Sequence, residues 1–226
     1  MTTPLLRIGI LGSGSGSNCE AIMEACARKS VPAEVAVVLS DVADAFILER
    51  GRRRNIPCQF IGKSQFKTKL EPELEQHVVD LLCHAGVQLV ALAGYMRVVK
   101  SPLLAAFPGR VINIHPSLLP SFPGLKAWEQ ALNYGVKVTG VTVHFVNEGV
   151  DTGPIILQET VPVLPGDTAE TLHQRLHAVE HRLFPEAIRL FAEDRLRIVG
   201  RRVEIRQKTL FSPEPETAGT KNAQST

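Results

Sequence analysis

Short, almost uninterrupted apolar bursts alternate with longer amphipathic stretches, and that rhythm restricts the fold of this chain more than any other feature of it. The bursts are Leu6–Leu11, Glu34–Leu39, Leu89–Ala93 and Arg110–Ile114. Runs apolar at nearly every position suit strands of a parallel sheet covered on both faces. Between them, Asn18–Ala27, Asp44–Arg54, Leu74–Ala85 and Ser101–Phe107 read as helices. Asp44 is the expected N-cap of the second, and Leu74, Val78, Leu81 and Leu82 make an apolar stripe on the third. Such alternation predicts right-handed βαβ units. The expected class is α/β: a single-domain, mostly parallel twisted sheet with helices on both faces, Rossmann-like, over residues 1–210.

After about residue 135 the period changes to two, with Val141, Val143 and Phe145 on one strand face and Thr142, His144 and Val146 on the other. Pro154–Val163 offers another strand, and Thr168–Phe191 a long helix interrupted or kinked near Pro185. Leu196–Val199 and Val203–Ile205 read as a closing hairpin, and residues 211–226 as a disordered tail. With 44% hydrophobic and 21% charged residues, wholesale disorder is excluded. A net charge of +2 gives no general drive toward nucleic acid or anionic membrane. No stretch approaches the roughly 18 apolar residues of a membrane span, and the N-terminus does not read as a signal peptide. Cys19, Cys26, Cys58 and Cys83 form no C-x-x-C pair, which fits reduced thiols in the cytoplasm. The expected partners are small molecules, with no nucleic acid and no membrane, for a monomer or homodimer.

Three segments could carry chemistry. In Gly12-Ser13-Gly14-Ser15-Gly16-Ser17-Asn18, small residues let backbone N–H groups approach an anion at a helix start. Ser17 stands where a dinucleotide fingerprint needs its third Gly, and no Walker lysine follows, so a phosphomonoester suits the loop better than a pyrophosphate. The loop alone would serve equally as a Gly-rich βα turn. In Val111–Pro120, strand alternation puts Asn113 and His115 on one face and Ile112 and Ile114 on the other. An amide beside an imidazole at a strand's carboxyl end can polarise a carbonyl and hold its oxyanion, although a lone buried His is more often a core residue. In the loop after His144, Asp151 could raise an imidazole's pKa and relay a proton, but Asp-Thr-Gly-Pro is also ordinary turn chemistry. His173, His177 and His181 share a helix face. Their outer members lie about 12 Å apart, too far for one metal ion, so a solvated face is expected. Arg50, Arg52, Arg53 and Arg54 read as a helix C-terminus countering the macrodipole.

Gly-Ser-Gly-Ser-Asn, Ala93-Gly94-Tyr95-Met96-Arg97, Asn113-Ile114-His115-Pro116-Ser117-Leu118-Leu119-Pro120 and His144-Phe145-Val146 through Asp151-Thr152-Gly153-Pro154 occur in that order. Together they resemble the folate-dependent phosphoribosylglycinamide formyltransferase family of purine synthesis, from about Arg7 to Arg197. The resemblance implies the formyltransferase variant of the α/β fold, with Asn113, His115 and Asp151 catalytic. It implies that Gly16, Ser17 and Asn18 hold the substrate phosphate, that Glu180 contacts the ribose hydroxyls, and that no metal takes part. The co-substrate 10-formyltetrahydrofolate would lie across Met96, Arg97, Val98 and Val99 and the loop from His144 through Asn147 to Asp151. One departure is Lys69, in a stretch with a short insertion, where related bacterial enzymes often carry an Arg; a Lys keeps the charge but loses the bidentate fork.

The resemblance implies attack of the glycinamide amine on the formyl carbon. Asn113 and a protonated His115 would hold the oxyanion, and Asp151 would favour the imidazolium. The nearest rival is a formyl-folate deformylase, whose relatives usually carry an extra N-terminal domain. Transfer to an aminoacyl-tRNA would need a further C-terminal domain. A nucleotide-binding oxidoreductase, with Asp41 as its ribose acid, lacks the third Gly. A non-catalytic phosphate- or folate-binding module would not require Asn113, His115 and Asp151 together.

Overall fold

The computed structural model describes residues 4–207. β1 (Leu6–Leu11) leads into α1 (Ser17–Ala27), β2 (Ala33–Ser40) into α2 (Phe46–Arg53), and a short β3 (Cys58–Phe60) precedes α3 (Pro72–His84). β4 (Leu89–Leu92), α4 (Ser101–Ala106) and β5 (Val111–His115) follow. Next come α5 (Ala127–Tyr134), β6 (Val138–Phe145), β7 (Ile155–Pro162), the long α6 (Ala169–Ala192) and a hairpin of β8 (Leu196–Val199) and β9 (Arg202–Ile205). All strands join one sheet in the order β3-β2-β1-β4-β5-β6-β7-β9-β8. Neighbours from β3 to β5 run parallel, β6 and β7 are antiparallel additions, and β9 lies parallel to β7. This is the expected α/β sheet.

Alternation along the strands sorts the apolar side chains into two cores. Ile8, Ile10, Val38, Leu89, Ala91, Ile112 and Ile114 pack on one face against Ile22, Met23, Ile47 and Leu48 of α1 and α2 and Leu172, Leu176 and Phe184 of α6. Leu11, Val37, Leu39, Val90, Leu92 and Val111 pack on the other against Val78, Val79 and Leu82 of α3 and Leu103 of α4. The central strands are thus covered on both faces, β4 at every position and β1, β2 and β5 at most, so the apolar runs show no period of two.

Several local expectations change. α2 begins after Ala45, whose side chain cannot cap, so Asp44 is not the N-cap. β3 and α5 are additional elements: β3 has three residues, and α5 starts at Lys126 in the left-handed region without a side-chain cap, so neither carries a strong local signal. α6 runs through Pro185 as one helix and is not interrupted there. Pro185 forfeits one bond to the His181 carbonyl, but it is buried among Leu183, Phe184, Ala187 and Ile188, whose packing outweighs that loss. The expected tail, residues 211–226, lies outside the described residues.

The three histidines of α6 are not a solvated face. The His173 ring stacks on Trp128 of α5 at 3.8 Å and 8°, the His177 ring lies 4.0 Å from His173, and His181 stacks on His177 at 5.8 Å. This half-buried aromatic column joins α5 to α6. Burial, reinforced by His177, pushes the His173 pKa down to about 4. Because the folded value lies below the ordinary one near 6.5, protonation favours the unfolded chain. This stabilisation is complete above that pH and is lost as pH falls toward 4. Replacing His173→Phe keeps the stack and removes the proton, so melting temperature should fall less steeply between pH 6.5 and 4 than in the parent. Equal slopes would show that His173 does not titrate in this way.

Candidate active site

β1, β4 and β5 are adjacent and parallel, so their carboxyl ends share one edge of the sheet. The Gly-rich loop leaves β1 there, Gly94–Arg97 leaves β4, and His115 ends β5. Strand order reverses between β1 and β4, which is where open α/β sheets form a binding crevice.

Ile112 and Ile114 point into the α1/α2/α6 core, so Asn113 and His115 face the opposite side, as alternation predicts. β6 brings His144 directly across from Asn113. The loop beyond β6 then delivers Asp151 to the same place. Asn113 Nδ2 lies 3.3 Å from His144 Nε2 and donates at 3.4 Å to Asp151 Oδ1. His115 Nδ1 stands 3.3 Å from Asp151 Oδ2, while its Nε2 lies 2.9 Å from the Phe122 carbonyl, to which it donates. His144 Nδ1 donates to the Phe145 carbonyl at 2.8 Å, which turns Nε2 toward Asn113 and Asp151. Gly124 N donates to Asp151 Oδ2 at 2.8 Å and closes the group.

Burial pushes the His115 pKa below the ordinary His range, outweighing the Asp151 carboxylate and the Phe122 carbonyl, which pull it up. Burial thus favours the neutral form of the resting imidazole. Both its nitrogens nevertheless face acceptors, so a proton gained during a reaction is bonded at once. For Asp151, burial pushes the pKa up, but contacts with His144, His115 and Gly124 N together hold it below the usual carboxylate value. It stays ionised in a site where its side chain is only 11% exposed.

Asp151 sits at φ 52°, in the left-handed region, a strained position for a residue other than Gly. Asn147 braces its turn, accepting from Gly149 N at 3.2 Å and Thr152 Oγ1 at 2.7 Å. Gly153 cannot be replaced without movement, since a Cβ there would come within 1.7 Å of the Phe145 carbonyl oxygen. Gly153→Ala should displace Asp151, lowering both melting temperature and turnover; a variant with parental values of both would contradict this tight approach.

The Gly-rich loop enters α1 through Gly16, at φ 72° and pressed against Ile47, where a Cβ would stand 2.7 Å from that residue. Ser17 is the first residue of α1, and the N–H groups of its first turn have no intrahelical acceptor. Asn18 is buried, and its Nδ2 donates to Glu180 Oε2 at 2.8 Å, while its Oδ1 has no partner among the described residues. Burial raises the Glu180 pKa against the pull of Asn18. Arg50 does more than counter a helix dipole: its Nε donates to the Ser15 carbonyl at 2.8 Å and its Nη1 pairs with Glu20 at 3.1 Å. Arg54 also bonds Glu20, so half of the Arg cluster ties α2 to α1 and its loop rather than only countering a dipole.

On the other side of the crevice, Met96 is 52% exposed, Val98 N donates to the Thr68 carbonyl at 2.7 Å, and Val99 is buried. Arg97 bonds Asp41 and the Phe66 carbonyl. Beside it lies a cleft of about 460 Å³ whose cations are Lys63, Lys67 and Arg97. Lys69 instead holds its ammonium 4.5 Å above the Phe66 ring. Asp41 accepts from Ser13 on one carboxylate oxygen and from Arg97 on the other. A polar residue directly after an apolar strand was the available signal for this link.

Residues 6–188 match the family model described as formyl transferase. The chain is 42% identical over 183 residues to the phosphoribosylglycinamide formyltransferase of Bacillus subtilis, covering 81% of this chain and 93% of that one. It is 45% identical over 205 residues to the trifunctional purine biosynthetic protein adenosine-3 of Drosophila pseudoobscura pseudoobscura, but the match takes in 88% of this chain and only 15% of that longer protein. Among solved structures, glycinamide ribonucleotide transformylase 1 of Symbiobacterium toebii superposes with a TM-score of 0.85 at 54% identity, over 90% of this chain and 95% of that one. A formyltetrahydrofolate deformylase from Pseudomonas syringae has a TM-score of 0.82 at 27% identity, over 89% of this chain and 66% of that one.

Proposed function

The chain belongs to the formyl transferase family, and from that premise we propose that it moves a formyl group from 10-formyltetrahydrofolate to the amine of 5′-phosphoribosylglycinamide, in purine synthesis. The observation that carries this reading is the linked group of Asn113, His115, His144 and Asp151 at the carboxyl edge of the sheet, the edge at which the Gly-rich loop also leaves β1. The transferase reading is favoured over hydrolysis by near full-length similarity to transferases at 42 to 54% identity, against 27% for the deformylase. We place the enzyme in the cytoplasm, acting on small molecules as a monomer or homodimer. No helix among the described residues is long and apolar enough to cross a membrane.

The folate-type donor supplies the activated formyl group. The acceptor amine forms a C–N bond to its carbon, the bond to the folate nitrogen breaks, and one proton passes from amine to that nitrogen. Asn113 meets the charge that builds on the formyl oxygen: its amide bonds to His144 and Asp151 are long, at 3.3 and 3.4 Å, and exchange readily for an anion. The Nε2 proton of His115 is engaged by the Phe122 carbonyl, which must give way before that proton can serve the oxyanion. As negative charge gathers, the affinity of His115 for a second proton rises, and Asp151 at 3.3 Å receives the resulting positive charge without moving. Ser17, Asn18 and Glu180 fit the acceptor's phosphate and ribose, with the first-turn N–H groups for the anion and a carboxylate for the hydroxyls.

The test is absorbance-monitored release of deformylated folate with and without the acceptor. Release that depends on phosphoribosylglycinamide is the expected result. Equal release in its absence would make the chain a hydrolase, and no release from folded protein would reduce it to a binding domain.

A further inference from the structure

Asp41 follows β2, Ser13 follows β1, and Met96 and Arg97 follow β4, so these residues span three adjacent strand ends across the point where strand order reverses. They form one connected device. Ser13 Oγ donates its only proton to Asp41 Oδ1 at 2.6 Å and accepts from Met96 N at 2.9 Å. Arg97 Nε donates to Asp41 Oδ2 at 2.6 Å. Ser13 N adds a bond to the Gly94 carbonyl at 3.0 Å. The Asp41 side chain is 2% exposed, so little solvent competes for either oxygen.

We propose that Asp41 is a positioning residue that couples the acceptor's phosphate loop to the segment holding the folate donor, so that filling one site favours filling the other. The inference rests on the assignment of those two segments under the proposed function. Its chemistry follows from the acceptor count. A carboxylate accepts on both oxygens and so satisfies Ser13 and Arg97 together, fixing the Ser13 hydroxyl with a lone pair toward Met96 N. An Asn at the same place accepts on one side only. Either its amide group faces Arg97 and opposes the guanidinium, or it faces Ser13 as a donor, removing the acceptor that fixed the hydroxyl proton and with it the orientation of the lone pair toward Met96 N. The phosphate loop then moves independently of Met96 and Arg97.

Tetrahydrofolate and phosphoribosylglycinamide cannot react together, so their mutual effect is measurable at equilibrium on the full chain. In the parent, saturating acceptor should tighten tetrahydrofolate binding by about fivefold or more, the lower range of ordinary site coupling. Asp41→Asn should bring that ratio close to one and raise the donor KM about tenfold, with a smaller fall in kcat, as loss of a buried charged hydrogen bond predicts. Ser13→Ala cuts the link but leaves the Asp41–Arg97 pair. It should abolish the coupling with less effect on donor KM, and it serves if Asp41→Asn fails to fold. A parental ratio of one, or coupling retained in the folded variants, would overturn the proposal. Parental protein that binds neither ligand would instead overturn the functional reading beneath it.

Discussion

Replacing Asp151→Asn should lower kcat by about a thousandfold or more, within the range for a group that governs proton transfer. Affinity for phosphoribosylglycinamide and tetrahydrofolate should change far less. The side chain keeps its size and can still accept from Gly124 N, so the loop retains its anchor. What disappears is the negative charge 3.3 Å from His115 Nδ1. Burial already pushes the His115 pKa down, and Asp151 is its main counterweight. Without the carboxylate only the Phe122 carbonyl still opposes burial, the imidazole takes a proton only at lower pH, and residual activity should shift its optimum toward acid. Steady-state kinetics across pH, with binding measured calorimetrically on the same protein, separates these effects. Near-parental kcat would remove Asp151 from the proton path. A loss confined to KM would make it a binding residue.

The parts of this site legible in the sequence were those set by local periodicity. Asn113 and His115 fall on one face because a strand alternates, and β5 ends where Pro116 cannot donate to the ladder. Parallel strands covered on both sides reveal themselves as apolar runs, so β1, β2, β4 and β5 were readable almost to the residue. What was not legible depends on contacts between residues distant in the chain. Nothing near Asp41 says that its two oxygens meet Ser13 and Arg97, and nothing near Arg50 says that it holds the Ser15 carbonyl. The His column deceived for the same reason: helical spacing put the rings on one face, but only the docking of α5 brings Trp128 over His173.

Asn113→Ala should reduce kcat by roughly a hundred- to a thousandfold, the usual cost of removing one preorganised oxyanion donor. Apart from the approach of its amide to Asp151, the arrangement around His115 remains, since that histidine is held by Asp151 and the Phe122 carbonyl. The variant therefore isolates charge stabilisation from proton movement. If Asn113 and Asp151 serve the same transition state, their effects are not independent. Each loss leaves the other group facing a reaction that has already lost its main route, so the combined loss in the double variant should be well below the product of the two single losses. Losses that multiply would mean that the two groups contribute independently to the transition state. An Asn113→Ala enzyme with parental kcat would leave His115 as the main oxyanion donor. The long amide bonds of Asn113 would then be packing rather than readiness to rearrange, and the Phe122 carbonyl, which engages the only proton His115 has at rest, would become the gate on the reaction.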